Sequence, residues 1–121
     1  DRPYMAASSF SSLEQSDAKD VKTLKVEEVF HLMPPPFDLI KCDIEGSEWR
    51  LITNYKELIK NTRYLLLEWH SWHSGGGGYE QLERQLTKSN FHIVKSSTPT
   101  PAHGRNGFIG LFLAENLTFQ N

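Results

Sequence analysis

Phe37-Asp38-Leu39-Ile40-Lys41-Cys42-Asp43-Ile44-Glu45-Gly46-Ser47-Glu48 is the stretch from which the rest of the chain can be read. Leu39, Ile40, Cys42 and Ile44 form a short apolar run between Pro34-Pro35-Pro36 and Gly46, and this pattern predicts a buried strand. Acidic residues gather where that strand ends. Asp43 and Glu45 lie two apart and share a face while the chain is extended, and Glu48 falls on the first turn of the next element. Ligands of open α/β sheets bind outside the carboxyl ends of the strands, so carboxylates placed here have a chemical use.

Upstream, residues 1–20 read as a polar loop or loose hairpin with serines around Phe10 and Leu13. Val21 to Val26 alternates as a short strand, and Glu27 to Met33 reads as a helix with acids at its start, ended by the triple proline. Downstream, Ser47 to Lys60 carries Trp49, Leu51, Ile52, Tyr55, Leu58 and Ile59, the stripe of one amphipathic helix that Asn61-Thr62 stops. Arg63 to Trp69, with Leu65-Leu66-Leu67, is a second buried strand that ends in an acid and is followed by His70. Two such strands joined by a helix predict a right-handed βαβ unit with parallel strands. After a Ser71 to Gly78 loop with four consecutive glycines, a helix over Tyr79 to Ser89 is expected to end at Asn90. A strand from Phe91 to Lys95, a proline- and glycine-bearing loop from Thr98 to Asn106 and a final strand from Phe108 to Leu113, antiparallel to its predecessor, complete the α/β pattern.

With 121 residues the chain has room for one domain with a real core. Its net charge of −2, with both signs interspersed, offers no electrostatic footprint for nucleic acid or an anionic membrane. No apolar run approaches the roughly 20 residues of a membrane span, no signal-peptide layout opens the chain, and a cytoplasmic location is the default expectation. Cys42 is the single cysteine, which excludes an intrachain disulfide framework; in so apolar a strand it reads as a small buried hydrophobe rather than a nucleophile.

The run from Asp38 to Glu48 resembles the Asp-Leu-Ile-Lys-(apolar)-Asp-(apolar)-Glu-Gly-Ala-Glu signature of FkbM-type S-adenosylmethionine-dependent methyltransferases. Flanking segments agree in order and spacing: Ala7-Ser8-Ser9-Phe10 is similar to an upstream serine-containing segment, Val21 to Phe30 to a Val-x-x-Leu-x-Leu-Asp-Asp-Leu-Leu stretch, and Leu66-Leu67-Glu68-Trp69-His70 to an Ile-Leu-Glu-x-His strand end. The resemblance spans nearly all of this chain but only the second half of the family's domain. It implies a truncated Rossmann-like methyltransferase fold and a methyl acceptor that is a hydroxyl of a small molecule or glycan.

The resemblance places Asp43 and Glu45 beside the cofactor's methionine end and the acceptor hydroxyl, which makes Asp43 a cofactor contact and makes Asp43, Glu45 and His70 the catalytic candidates. A carboxylate there can orient the acceptor, take its proton, or hold a divalent metal with Glu68 or a histidine. Glu48, Glu68, Trp69 and His73 are the substrate-binding candidates. Two of them have a plainer alternative: Glu48 as an acid favoured at a helix start, Trp69 as core. His70 and His73, three apart, can supply a base or ligate a metal. Zinc needs three or four ligands and no further histidine or cysteine is close by in sequence, so no metal is assigned.

In that family a glycine-rich turn after the first strand holds the cofactor's amino-acid end, and an acid ending the second strand binds the ribose. Neither is found here. Gly104, Gly107 and Gly110 lead into a strand rather than out of one, and Gly75 to Gly78 read as a flexible loop. Weak or absent S-adenosylmethionine binding by this chain alone is therefore expected, as for an inactive fragment. The Leu39 strand is expected to have a raw hydrophobic edge, which predicts a homo-oligomer formed through that edge or through the helix-bearing face. A non-catalytic half-Rossmann assembly module is the competing reading. A metal-dependent hydrolase using the Asp43, Glu45 and His70 region ranks last.

Overall fold

The computed structural model describes residues 22–44, 46–71, 79–102 and 107–120. The 1–20 segment, Glu45, His73 and the glycine run Gly75 to Gly78, all of which figure in the sequence reading, lie outside the described residues. Helix α1 (Val26–Leu32) leads into strand β1 (Phe37–Cys42), followed by α2 (Glu48–Asn54), α3 (Lys56–Lys60) and β2 (Thr62–His70). Helix α4 (Tyr79–Lys88), strands β3 (Phe91–Ser96), β4 (Thr100–Pro101) and β5 (Phe108–Asn116), and a 3₁₀ turn at Leu117–Phe119 follow. Among the described residues, no helix is long and apolar enough to cross a membrane.

The sheet order is β1-β2-β5-β3, with β4 paired to β5. β1 and β2 run parallel, and β5 runs antiparallel to both of its neighbours. The result is a mixed α/β sheet of partial Rossmann-like form, in which β5 inserts between β2 and β3.

Alternation along the strands builds the core. Leu65, Leu67 and Trp69 of β2, Phe112 and Ala114 of β5 and Phe91 of β3 are buried against Leu51 and Ile52 of α2, Leu58 and Ile59 of α3, and Leu82 and Leu86 of α4. Each such leucine or isoleucine contributes roughly 1.5–3 kcal/mol by leaving water. The other sheet face is more open, with Leu39 and Leu111 exposed. α4 ends as expected: Asn90, the residue that makes the turn, has φ 65° and its carbonyl accepts from the Leu117 N–H at 2.9 Å.

Four local expectations are corrected. Residues 22–25 form no strand; the Lys25 carbonyl accepts from Val29 N–H and the Lys25 N–H donates to the Glu28 carboxylate at 3.0 Å, so this backbone serves the start of α1. The single helix over 47–60 is two helices, because Tyr55, at φ −117° and ψ 49°, ends α2 by donating to the Leu51 carbonyl and starts α3 by accepting from Ile59 N–H. β1 is not buried along its length: as the terminal strand of the described sheet it leaves Leu39 53% exposed and encloses only Cys42. The loop after β3 contains β4, which pairs Thr100 with Ile109 and Pro101 with Phe108.

Candidate active site

Parallel pairing places Cys42 beside Leu67, so the carboxyl ends of β1 and β2 stop next to each other and Asp43 emerges beside Glu68, Trp69 and His70. Beyond β1 the chain reverses at Gly46, whose φ of 103° suits glycine and strains other residues. The Ser47 N–H closes this turn on the Ile44 carbonyl at 3.2 Å, and Glu48 opens α2 with its side chain turned inward and fully buried.

Four donors meet the Glu48 carboxylate: Ile44 N–H (3.2 Å) and Gly46 N–H (2.9 Å) at Oε2, and His70 N–H and Nδ1 (both 3.0 Å) at Oε1. An ionised carboxylate only accepts, so the ring nitrogen facing it is the protonated one, Nδ1–H. This leaves Nε2 aimed the other way, 3.2 Å from Glu68 Oε2 and 3.8 Å from Asp43 Oδ1. The His70 side chain is 2% exposed, while Asp43 and Glu68 are 42% and 37% exposed. An enclosed imidazole is thus fixed from behind by a buried acid and faces two half-open acids in front.

The structure therefore brings together Asp43, Glu48, Glu68 and His70, which the sequence reading distributes among catalytic and substrate-binding roles. Glu48 has no exposed surface, and its oxygens are occupied by the turn and by His70, so it holds other protein groups rather than a substrate. Trp69 lies in the core, its indole edge-on to Trp49 with ring centroids 6.4 Å apart, and offers no open face for stacking. Glu45 and His73 fall outside the described residues. Sequence reasoning misses that Glu48 orients His70; a separation of 22 residues leaves no local pattern to show it. Cys42 sits behind the cluster, where burial, then Glu48 and Asp43, push its thiol far above the ordinary range. It is packing, not a nucleophile.

Chemically, an imidazole held between carboxylates can take up and pass on a proton, and the three front atoms can hold a cation. The turn that opens α2 is the place where an α/β protein ordinarily receives an anion, but here its Ile44 and Gly46 N–H groups are already taken by Glu48.

The family model described as the methyltransferase FkbM domain matches residues 2–106. No curated protein and no solved structure matches the chain.

Proposed function

The chain belongs to the FkbM methyltransferase family, and from this premise we propose that it supplies the acceptor side of a site that methylates a hydroxyl of a small molecule or glycan. S-adenosylmethionine, the donor this family implies, brings an electrophilic methyl group. The turn that opens α2 offers no amides to the cofactor's carboxylate, because its Ile44 and Gly46 N–H groups donate to Glu48.

The observation that carries the reading is the pairing of an enclosed His70 with two half-exposed carboxylates at adjacent strand ends. An acceptor hydroxyl reaches Asp43 and Glu68 first. Asp43 then takes the hydroxyl proton as the oxygen attacks the methyl group and the thioether leaves, with His70, oriented by Glu48, standing behind it at 3.8 Å; general-base help of this kind is worth about 10²–10⁴ in rate. The test is transfer of labelled methyl from S-adenosylmethionine to a panel of hydroxyl-bearing small molecules and glycans, run on the protein and on Asp43→Asn. Methyl ether formation that drops at least about a hundredfold in the variant supports the reading. Equal rates, or label on nitrogen or sulfur, overturn it.

A second reading has its own observation. β1 has no partner on its outer side among the described residues, and Leu39 on it is 53% exposed. Such an edge invites pairing with another copy, as in a half-Rossmann assembly module. Light scattering at micromolar concentration decides this: a stable oligomer without methyl transfer favours assembly, and a monomer removes it.

A further inference from the structure

The geometry points to a divalent cation site of the Mn²⁺ class formed by Asp43 Oδ1, Glu68 Oε2 and His70 Nε2. It rests on the acceptor-side reading above, and specifies what polarises the hydroxyl.

These three atoms all lie within 4.8 Å of one another. Ligand atoms about 2.2 Å from a shared cation stand about 3.1 Å apart as an octahedral cis pair and about 3.6 Å apart as a tetrahedral pair. His70 Nε2 lies 3.2 Å from Glu68 and 3.8 Å from Asp43, so a cation fits between them with little movement.

The second observation lies outside the three ligands. Glu48, fully buried, accepts from both the backbone N–H and Nδ1 of His70, which fixes the ring and turns Nε2 toward the acids. A carboxylate behind a ligating histidine is the arrangement that orients metal-bound imidazoles and raises their basicity. Among the described residues, Nε2 faces two carboxylate oxygens, so that three acids converge on one imidazole. A divalent cation offsets this concentration of carboxylates.

Two carboxylates with one imidazole match manganese or magnesium better than a thiolate-preferring metal. The partial exposure of Asp43 and Glu68 leaves coordination positions open to water or an acceptor oxygen. In the loaded site the cation would polarise the hydroxyl, whose proton still passes to the Asp43 carboxylate.

The experiment is a MnCl₂ titration of the chain, without cofactor or acceptor, followed by electron paramagnetic resonance of free Mn²⁺ and by broadening of the His70 ring proton signals. The expected result is saturable 1:1 binding that selectively broadens His70 and weakens at least about tenfold in both Asp43→Asn and Glu68→Gln. Both variants change half-exposed side chains, and an unchanged unfolding midpoint verifies that each is folded. No saturation by about 5 mM Mn²⁺, where association no longer exceeds that of scattered surface acids, overturns the proposal. Equal affinity in wild type and both variants overturns it as well. Since neither outcome involves methyl transfer, loss of the metal site leaves Asp43 as the proton acceptor, and loss of the methyltransferase reading leaves the titration result standing.

Discussion

Replacing Glu48 with glutamine keeps the volume and most of the shape of a buried side chain while removing its charge and turning one acceptor oxygen into a donor. The best placement of the substituted amide keeps its carbonyl toward the Ile44 and Gly46 N–H groups, since both are backbone donors with fixed positions. The new NH₂ then faces His70. Nδ1 can lose its proton and accept, but the His70 N–H, which gave Glu48 a 3.0 Å bond, is left opposite a donor in a site with no water access. An unsatisfied buried N–H costs about 1–3 kcal/mol, and exchanging charged for neutral acceptance at the remaining bonds costs about 1 kcal/mol each. Relief from burying a carboxylate offsets part of this. The net loss is about 3 kcal/mol. With about 2.1 cal/mol/K of unfolding entropy per residue over 121 residues, that lowers Tm by about 12 °C. Urea unfolding followed by tryptophan fluorescence reads the change directly, because Trp49 and Trp69 pack together beside the bonded groups. Glu57→Gln, at an exposed pair with Lys60, is the control and changes stability by less than about 1 kcal/mol. A loss below about 1 kcal/mol for Glu48→Gln would refute the view that this carboxylate ties the turn to β2.

Two further outcomes follow from the same geometry. The raised thiol of Cys42 means that the folded protein holds its proton more tightly than the unfolded chain. Stability is therefore insensitive to this group well below its ordinary value of 9.0 and falls above it, by about 1 kcal/mol between pH 9 and 10, a loss that Cys42→Ala lacks when both are unfolded in urea over that window. The window stops there because Tyr64, whose phenol donates to Glu115 at 2.9 Å, is shifted upward too and adds a slope of the same sign. Gly46→Ala, at φ 103°, costs about 1–3 kcal/mol in the same unfolding assay, and a neutral effect would show that the turn relaxes without strain.

How much is legible in the sequence follows from the range of the interactions involved. β2, α4, β3 and the parallel βαβ relation are readable because apolar periodicity and punctuating residues act over a few positions; Asn90 at the end of α4 is an instance. Alternation over residues 22–25 misleads because it specifies a strand only where a neighbour supplies hydrogen bonds, and Lys25 commits its backbone to α1 instead. The break at Tyr55 is hidden because its apolar ring fits a continuous helical stripe equally well. At the site, the acids after β1 and the Glu68-Trp69-His70 end of β2 stand out as strand-end chemistry, but their arrangement does not. Trp69 suits a stacking surface by residue type and is core in the fold, since strand alternation assigns it to the face covered by the helices.

By itself, the sequence determined the family, the α/β class and the set of polar residues that arrive at the strand ends. These are carried by residue types and short spacings, which are local properties of the chain. Only the tertiary structure decided that Glu48 turns inward to hold His70, that His70 presents Nε2 to Asp43 and Glu68, and that β5 threads between β2 and β3. Most of these contacts join segments far apart in the chain, and those at the site form because parallel pairing brings two strand ends together over a turn whose amides need an acceptor.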